Sequence, residues 1–174
     1  MLNLLRNSSA RKLLVQSLLD QLVARARAPV FFADLGVPDT LDGRFDLVTL
    51  HAWLVLERLK AAHLDMEAQA LMDALFVSFD EALREQGTGD MGMGRRMKAM
   101  ADAFFGRLKV YAAAAQEEEL TAALARNVWR GAAADRRARM LTSYVLSARA
   151  ALAAADVAAG ILEFGPLPDG KALA

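Results

Sequence analysis

The feature that most constrains this chain is the absence of proline between Pro38 and Pro166, a stretch that covers most of its 174 residues. Proline inside a helix removes a hydrogen bond and clashes with the preceding turn, so a long proline-free stretch leaves helices uninterrupted. Alanine, the best helix former, is abundant in the same stretch. No run of alternating β-branched residues is long enough to form a strand. The sequence therefore predicts an all-α, single-domain bundle of about six helices.

Composition and charge exclude several classes of protein. The chain contains no cysteine, which excludes a disulfide framework and a thiolate nucleophile. Its 21 basic and 21 acidic side chains balance, which argues against a protein dedicated to sequence-specific nucleic acid. The longest nearly apolar run, residues 47–56, is shorter than the roughly 20 residues that a membrane span needs. We expect neither secretion nor a transmembrane segment.

The first part of the chain, residues 1–28, predicts a basic amphipathic helix. Two interpretations stay open for it: a helix packed on its own domain, or one that also contacts anionic lipid or an acidic partner. An irregular Gly/Pro/Asp connector follows at residues 36–43, in which Gly43 tolerates positive φ and Asp42 caps the next helix.

The helical core is predicted at residues 29–159, and residues 160–174, which contain Pro166 and Pro168, predict a loose tail. Residues 30–35 are expected to form a turn of helix or an irregular piece. The core helices are expected at residues 44–63, 65–85, from the glycines at 87–94 to 115, from 117 to about 130, and 135–159.

Motifs for catalysis, cofactors and metals are not supported. G-x-G-x-x-G occurs at residues 87–92, but a dinucleotide site needs a strand before it, and here an amphipathic helix precedes it. Those glycines form either a flexible turn or the start of a helix whose free amides, with Arg95 and Arg96, face an anion. His51 and His63 are too far apart for an i, i+4 metal pair, and His51 is expected to be buried with one hydrogen bond. We predict no enzyme, cofactor or metal.

Other polar and aromatic residues have a structural interpretation beside a functional one. Asn127 is expected to be partly buried and either to cap backbone or to bridge backbone across a helix contact. Trp53 and Trp129 are expected in the core. The basic residues from Arg126 to Arg139 form either a solvated face or a contact for RNA or an acidic protein.

Four motifs occur in the order found in one known family. They are L-G-V-P-D-T at residues 35–40 with Phe45 behind it, L-H-A-W-L at 50–54, F-F-G at 104–106 followed by Tyr111, and A-A-L-A-R-N at 122–127. With the glycine turn before Arg95 and Arg96, they resemble the ubiquinol–cytochrome c chaperone family, the assembly factors of the cytochrome bc1 complex. The resemblance covers about residues 29–129, and the chain looks like a short bacterial-type member.

The resemblance implies a helical, cofactor-free protein that binds cytochrome b, or another bc1 subunit, and aids assembly of the complex. It implies a location in the cytoplasm, with peripheral contact to the inner membrane or the ribosome. The family-motif positions are the expected client-binding or partner-binding residues: Pro38, Asp39, Thr40, Phe45, His51, Trp53, Arg95, Arg96, Tyr111, Arg126 and Asn127. The oligomeric state stays open.

A second hypothesis from another class is a carrier of a small apolar ligand such as a quinone or an acyl chain. Its pocket would be lined by a stripe of methionine and phenylalanine, which forms ordinary core in the alternative interpretation. The residues of this stripe are Phe76, Phe79, Met97, Met100 and Phe104. An apolar cavity of roughly 300 Å³ or more would favour the carrier.

Overall fold

A computed structural model of the chain describes residues 2–85, 87, 90–131 and 134–169. Within these ranges it contains seven α-helices, one turn of 3-10 helix and no strand. The elements are α1 (Leu2–Ala26), α2 (Pro29–Ala33), α3 (Leu41–Ala61), α4 (Asp65–Glu85), α5 (Asp90–Ala113), α6 (Glu117–Val128), α7 (Arg136–Ala154) and the 3-10 turn Val157–Ala159. The prediction of an all-α, single-domain bundle of about six helices is confirmed. Six of the seven described helices have 12 or more residues, and α2 is a short seventh helix of five residues.

Helix α3 lies at the centre of the bundle and packs against α1, α4, α5, α6 and α7. Its side chains are buried without interruption from Phe45 to Leu56, so it presents no solvent face over this stretch. A helix that is apolar nearly all round must be enclosed on every side. The remaining helices therefore form a shell around α3.

The connector at residues 36–43 lies directly against the first turn of α3. Thr40, not Asp42, caps this helix, because its Oγ1 accepts the Gly43 N–H at 3.2 Å. Gly43 is part of the helix and does not have positive φ. It must be glycine for a different reason: a Cβ at this position would lie 1.9 Å from the carbonyl oxygen of Pro38. The missing side chain lets the connector backbone approach the helix.

Helix α2 occupies the segment expected to be a turn of helix or an irregular piece. Its five residues begin at Pro29, which suits the first helical position because that position has no hydrogen bond to lose. Phe31 on this helix is fully buried. The short helix thus inserts an aromatic side chain into the core between α1 and the connector.

Residues 160–169 are fastened to the bundle, although the sequence predicts a loose tail. Gln21 on α1 donates to the Gly160 carbonyl at 2.7 Å and accepts the Leu162 N–H at 3.1 Å. Arg25 donates to the Gly165 carbonyl at 2.7 Å, and Phe164 is buried. We call residues 160–169 the C-terminal strap; residues 170–174 lie outside the described residues. Two polar side chains on α1 supply the bonds that the strap backbone needs.

Candidate functional site

An open groove of about 670 Å³ lies between the start of α3 and the middle of α5. The end of α4 closes one side of it, and Arg130, just after α6, closes another. We call it the α3–α5 groove. Its lining residues are Thr40, Leu41, Asp42, Phe45, Leu83, Arg96, Ala99, Met100, Ala103, Arg107 and Arg130. Three of the expected binding residues, Thr40, Phe45 and Arg96, are thus brought together here.

The base of the α3–α5 groove is held by a buried carboxylate. Asp46 is fully buried, and its Oδ1 lies 2.7 Å from Nη2 of Arg107 on α5. Its Oδ2 lies 3.2 Å from Nη2 of Arg130, and the same nitrogen lies 3.3 Å from Asp42 Oδ2. The Arg107 guanidinium also stacks over the Phe45 ring, 5.3 Å from its centroid. Asp46 therefore ties α3 to α5 and to Arg130, the second residue after the end of α6.

Burial dominates the ionisation of Asp46. Removal from water raises the pKa of this carboxyl from 3.8 to about 6, although Arg107 and Arg130 both act to lower it. Between pH 3.8 and 6 the folded protein thus binds more protons at Asp46 than the unfolded chain does. By linkage, Asp46 makes the fold less stable as the pH rises through this range.

Arg130 is held in an unusual backbone conformation at the rim of the α3–α5 groove. Its φ of 56° lies in the left-handed region, which costs non-glycine residues of order 1–3 kcal/mol. The residue before it is fixed, because the Trp129 indole N–H donates to the Leu35 carbonyl at 3.2 Å. The guanidinium meanwhile reaches Asp42 and Asp46. The strained backbone is thus held from both sides.

Four of the expected binding residues are exposed at the surface outside the α3–α5 groove. Pro38 and Asp39 are exposed on the connector, where Asp39 pairs with Arg44 at 2.7 Å. The hydrogen bond from Arg44 lowers the pKa of Asp39. Arg95 and Arg126 are exposed on α5 and α6 and do not line the groove. The structure therefore spreads the motif residues over more than one surface.

His51 lies in the interior and links three parts of the chain. Its Nδ1 lies 2.8 Å from the Leu47 carbonyl, which can only accept, so Nδ1 carries the proton. The bare Nε2 then accepts the hydroxyl of Tyr144 at 2.8 Å, and that oxygen accepts Nε–H of Arg25 at 3.0 Å. The expected buried histidine is found, with two hydrogen bonds in place of one. The chain of bonds joins α3 to α7 and α1.

Burial also keeps His51 neutral. It lowers the pKa of His51 from 6.5 to about 4, although the bond to Leu47 acts in the other direction. In that range the unfolded chain binds more protons at this residue than the folded protein does. His51 therefore makes the fold less stable as the pH falls from 6.5 to 4.

Trp53, Tyr111 and Asn127 pack helices together. The centroids of the Trp53 and Tyr111 rings lie 5.5 Å apart. The Arg149 guanidinium lies over the Trp53 ring, 5.3 Å from its centroid. Tyr111 is almost fully buried, which raises its pKa. Asn127 is half-buried as expected, and its side chain donates to the Ala123 carbonyl of its own helix at 2.9 Å. The same side chain faces Tyr111 on α5, where it acts to lower the pKa of the phenol. These residues shape the bundle from within.

The phenylalanines of the apolar stripe pack against one another. Phe76, Phe79 and Phe104 contact ring to ring, with centroids 5.3 to 6.2 Å apart. A second cavity, more enclosed than the α3–α5 groove, lies beside Phe79 and Met100. Its volume of about 160 Å³ is below the roughly 300 Å³ at which small-molecule pockets begin. The interior around the stripe is thus filled by its own side chains.

The glycine motif and the metal-binding residue types give no site in the described part of the chain. Helix α4 precedes the glycine motif, whereas a dinucleotide site needs a strand at this place. Thr88 and Gly89 lie outside the described residues, and α5 begins at Asp90. Gly92 and Gly94 therefore lie inside this helix, so the alternative in which one of these two glycines starts the helix is wrong. Among the described residues no cluster of three or more His, Asp or Glu side chains could hold a metal.

Sequence reasoning missed Asp46 and Arg107, and it placed Arg130 in the basic stretch from Arg126 to Arg139 without a partner inside the fold. One signal was available for the first: Asp46 is an acidic residue between Phe45 and Leu47 in a helix predicted to be buried on several sides. A carboxylate in such a place needs a partner. No local pattern identifies Arg107 and Arg130 as those partners, because they follow at separate points much later in the chain.

Comparison with known proteins places these residues in a family. The sequence model of the ubiquinol-cytochrome C chaperone family matches residues 33–162, a span that contains every residue lining the α3–α5 groove. The chain belongs to this chaperone family. The resemblance seen in the four motifs is thereby confirmed. A search of curated proteins gives no match.

A solved structure supports the family assignment. The crystal structure of the Cbp3 homolog from Brucella abortus is 37% identical to this chain and superposes with a TM-score of 0.80. The match covers 92% of this chain and 93% of that one. The structural match thus includes more of the chain than the residues 33–162 that the family model matches. None of the described helices is long and apolar enough to cross a membrane.

Proposed function

We propose that this protein is an assembly chaperone of the cytochrome bc1 complex that binds cytochrome b in the α3–α5 groove. It acts by holding its client, not by catalysis. Membership of the ubiquinol-cytochrome C chaperone family supports the assembly role. The observation that carries the site is the groove itself, where Thr40, Phe45 and Arg96 from two separate family motifs line one open surface.

The α3–α5 groove suits an apolar polypeptide segment. Leu41, Phe45, Leu83 and Met100 contribute apolar surface to it. Grooves of this kind receive the apolar face of a helix from a partner. Methionine adapts its shape to different side chains, which suits a chaperone that binds an unfinished client. Beneath these side chains, the ion pair between Asp46 and Arg107 holds α3 and α5 together at the base of the groove.

A variant that fills the α3–α5 groove tests the proposal. Ala99 is exposed on α5 and lines the groove, so Ala99→Trp would occupy it without disturbing the core. Ala112→Trp, exposed on the same helix outside the groove, is the matched control. In cells lacking the protein we expect cytochrome b, measured by its haem absorbance, to fall. Wild type and Ala112→Trp should restore it, and Ala99→Trp should not.

The outcomes separate the role from the site. Unchanged cytochrome b in cells lacking the protein would refute the assembly role. Full restoration by Ala99→Trp would refute the groove as the binding site. A photo-crosslinking amino acid at position 99 should capture cytochrome b from growing cells, and one at position 112 should not.

The start of α1 supports contact with an anionic membrane surface, which we also propose. No acidic residue precedes Asp20, and among the described side chains of α1 the buried ones begin at Val15, with Leu14 partly buried against the core. Lys12 and Leu13 are exposed, the latter by 75%. A basic helix with exposed apolar groups binds anionic lipid. The protein should float with phosphatidylglycerol vesicles and not with phosphatidylcholine vesicles, and Lys12→Glu should weaken this binding; equal flotation with both would contradict it.

A further inference from the structure

The solvent side of α5 carries an exposed aromatic ring beside an exposed glycine. The Phe105 side chain is 51% exposed and stacks on Phe76 of α4, with ring centroids 5.9 Å apart. Gly106 follows it in the interior of α5, where glycine is unfavourable. In the described part of the chain, a Cβ at Gly106 would meet no atom within 4 Å beyond its own helix. The packing of one copy therefore gives no reason for a glycine at this position.

Two opposite charges flank the ring and the glycine. Asp102 and Lys109 lie about two helical turns apart, so their side chains project to the same side of α5. Both are exposed, and neither forms an ion pair within the residues that the structure describes. Phe105 and Gly106 lie midway between them. We call Asp102, Phe105, Gly106 and Lys109 the outer α5 face.

The two ends of α5 are opposite in charge. Arg95 and Lys98 are exposed near its start. Glu117 and Glu118 are exposed at the start of α6, and the short connection places Glu117 within about 14 Å of the last residue of α5. The carbonyl end of α5 adds a partial negative charge. An antiparallel pair of α5 helices thus brings the basic start of one beside the acidic end of the other, whereas a parallel pair brings like charges together.

We propose that a second copy of this chain docks on the outer α5 face, with the two α5 helices antiparallel and a two-fold axis between residues 105 and 106. Asp102 and Lys109 are equidistant from this axis, so Asp102 of each copy lies opposite Lys109 of the other and two ion pairs form. The two Phe105 rings meet beside the axis. Gly106 lets the helix backbones approach. This self-association goes beyond the proposed function and does not depend on it.

Sedimentation velocity of the full chain tests the self-association. One helix from each copy forms a small interface, so we expect a weak dimer with a Kd on the order of 10 μM. Between about 1 and about 200 μM the sedimentation coefficient should therefore rise from the monomer value toward the dimer value. A monomer over the whole range would overturn the proposal, including the case in which the outer α5 face binds a different, acidic protein.

Charge exchange tests the pairing across the axis. Asp102→Lys and Lys109→Asp should each raise the Kd at least ~10-fold, because each replaces two attractions by two repulsions. The double variant restores both ion pairs with reversed sign and should return the Kd to within about 3-fold of wild type. Lys60→Asp, exposed at the end of α3, is the control and should leave the Kd unchanged. A double variant as weak as the single ones would overturn the pairing, and circular dichroism checks that each variant is folded.

Single cysteines test the position of the axis, since the chain has no cysteine of its own. Gly106→Cys lies beside the axis and should form a disulfide between two copies under mild oxidation. Ala113→Cys is exposed on the same side of α5, but the antiparallel arrangement separates its two copies by about 22 Å along the helices, so it should not. Equal crosslinking at both positions, or none at position 106, would overturn the antiparallel dimer.

Discussion

Replacing Gly43 with alanine should destabilise this protein, although the same change stabilises most helices. Gly43 lies in the first turn of α3, where alanine is normally preferred over glycine by about 1 kcal/mol. Here, however, the added Cβ would lie 1.9 Å from the Pro38 carbonyl oxygen and 3.0 Å from the carbonyl carbon. Real Cβ atoms essentially never approach within 3.0 Å, so the connector backbone must move by about 1 Å.

The expected magnitude follows from three effects. Overpacking against backbone costs about 1–3 kcal/mol, because no side-chain rotation can relieve it. Movement of the connector also strains the bond from the Gly43 N–H to Thr40, and loss of such a cap costs about 1 kcal/mol. The gain in helix propensity offsets about 1 kcal/mol. We expect a net loss of about 2 kcal/mol, or a fall in Tm of ~4–8 °C for a chain of this length.

Gly106→Ala is the matched control within the same chain. Gly106 lies inside α5, is exposed, and would place its Cβ in open space. This variant should gain up to about 1 kcal/mol, because only helix propensity changes. Urea unfolding followed by circular dichroism measures both variants. The argument fails if Gly43→Ala is as stable as wild type, or if Gly106→Ala loses as much stability as Gly43→Ala.

Three further predictions concern the caps and buried polar groups. Tyr144→Phe keeps the ring but leaves Nε2 of buried His51 without its donor, so urea unfolding should show a loss of about 1–3 kcal/mol, and an unchanged midpoint would contradict the assigned network. Thr40→Ala should cost about 1 kcal/mol in the same assay and Thr40→Ser much less, because serine keeps the capping oxygen; equal losses would count against the cap. On acidification from pH 6.5 to 4.5, His51 lowers the stability of wild type while Asp46 raises it, so the two partly cancel. Asp46→Asn removes the second effect and should lose stability more steeply, by up to about 1.4 kcal/mol per pH unit, whereas parallel profiles would show that Asp46 does not titrate in this range.

The helices could be predicted from the sequence because their signals are local. The apolar spacing in α4 gives its bounds, Asp65–Glu85, and the acidic residues at 117–119 mark the start of α6. The family could be recognised because its motifs are also short and ordered. Each of these features depends on residues within one or two helical turns of each other.

The α3–α5 groove and the interior network could not be predicted in the same way. Asp46, Arg107 and Arg130 meet because three helices pack together, and no spacing in the sequence encodes that meeting. Arg25, His51 and Tyr144 converge for the same reason. The strap at residues 160–169 was expected to be loose because its prolines exclude a helix, but an extended segment is held equally well when side chains bond its carbonyls.

The C-terminal strap has a consequence for the order of folding during synthesis. Arg25 and Gln21 emerge from the ribosome early, but the carbonyls they bind belong to residues 160 and 165. These contacts join residues 139 and 140 positions apart in the chain, and such long-range closures are slow relative to local helix formation. The first helix to be made is thus among the last to be fully fastened. Until translation reaches the strap, His51 lacks the Phe164 ring that packs against it, so the nascent protein itself has an unfinished interior.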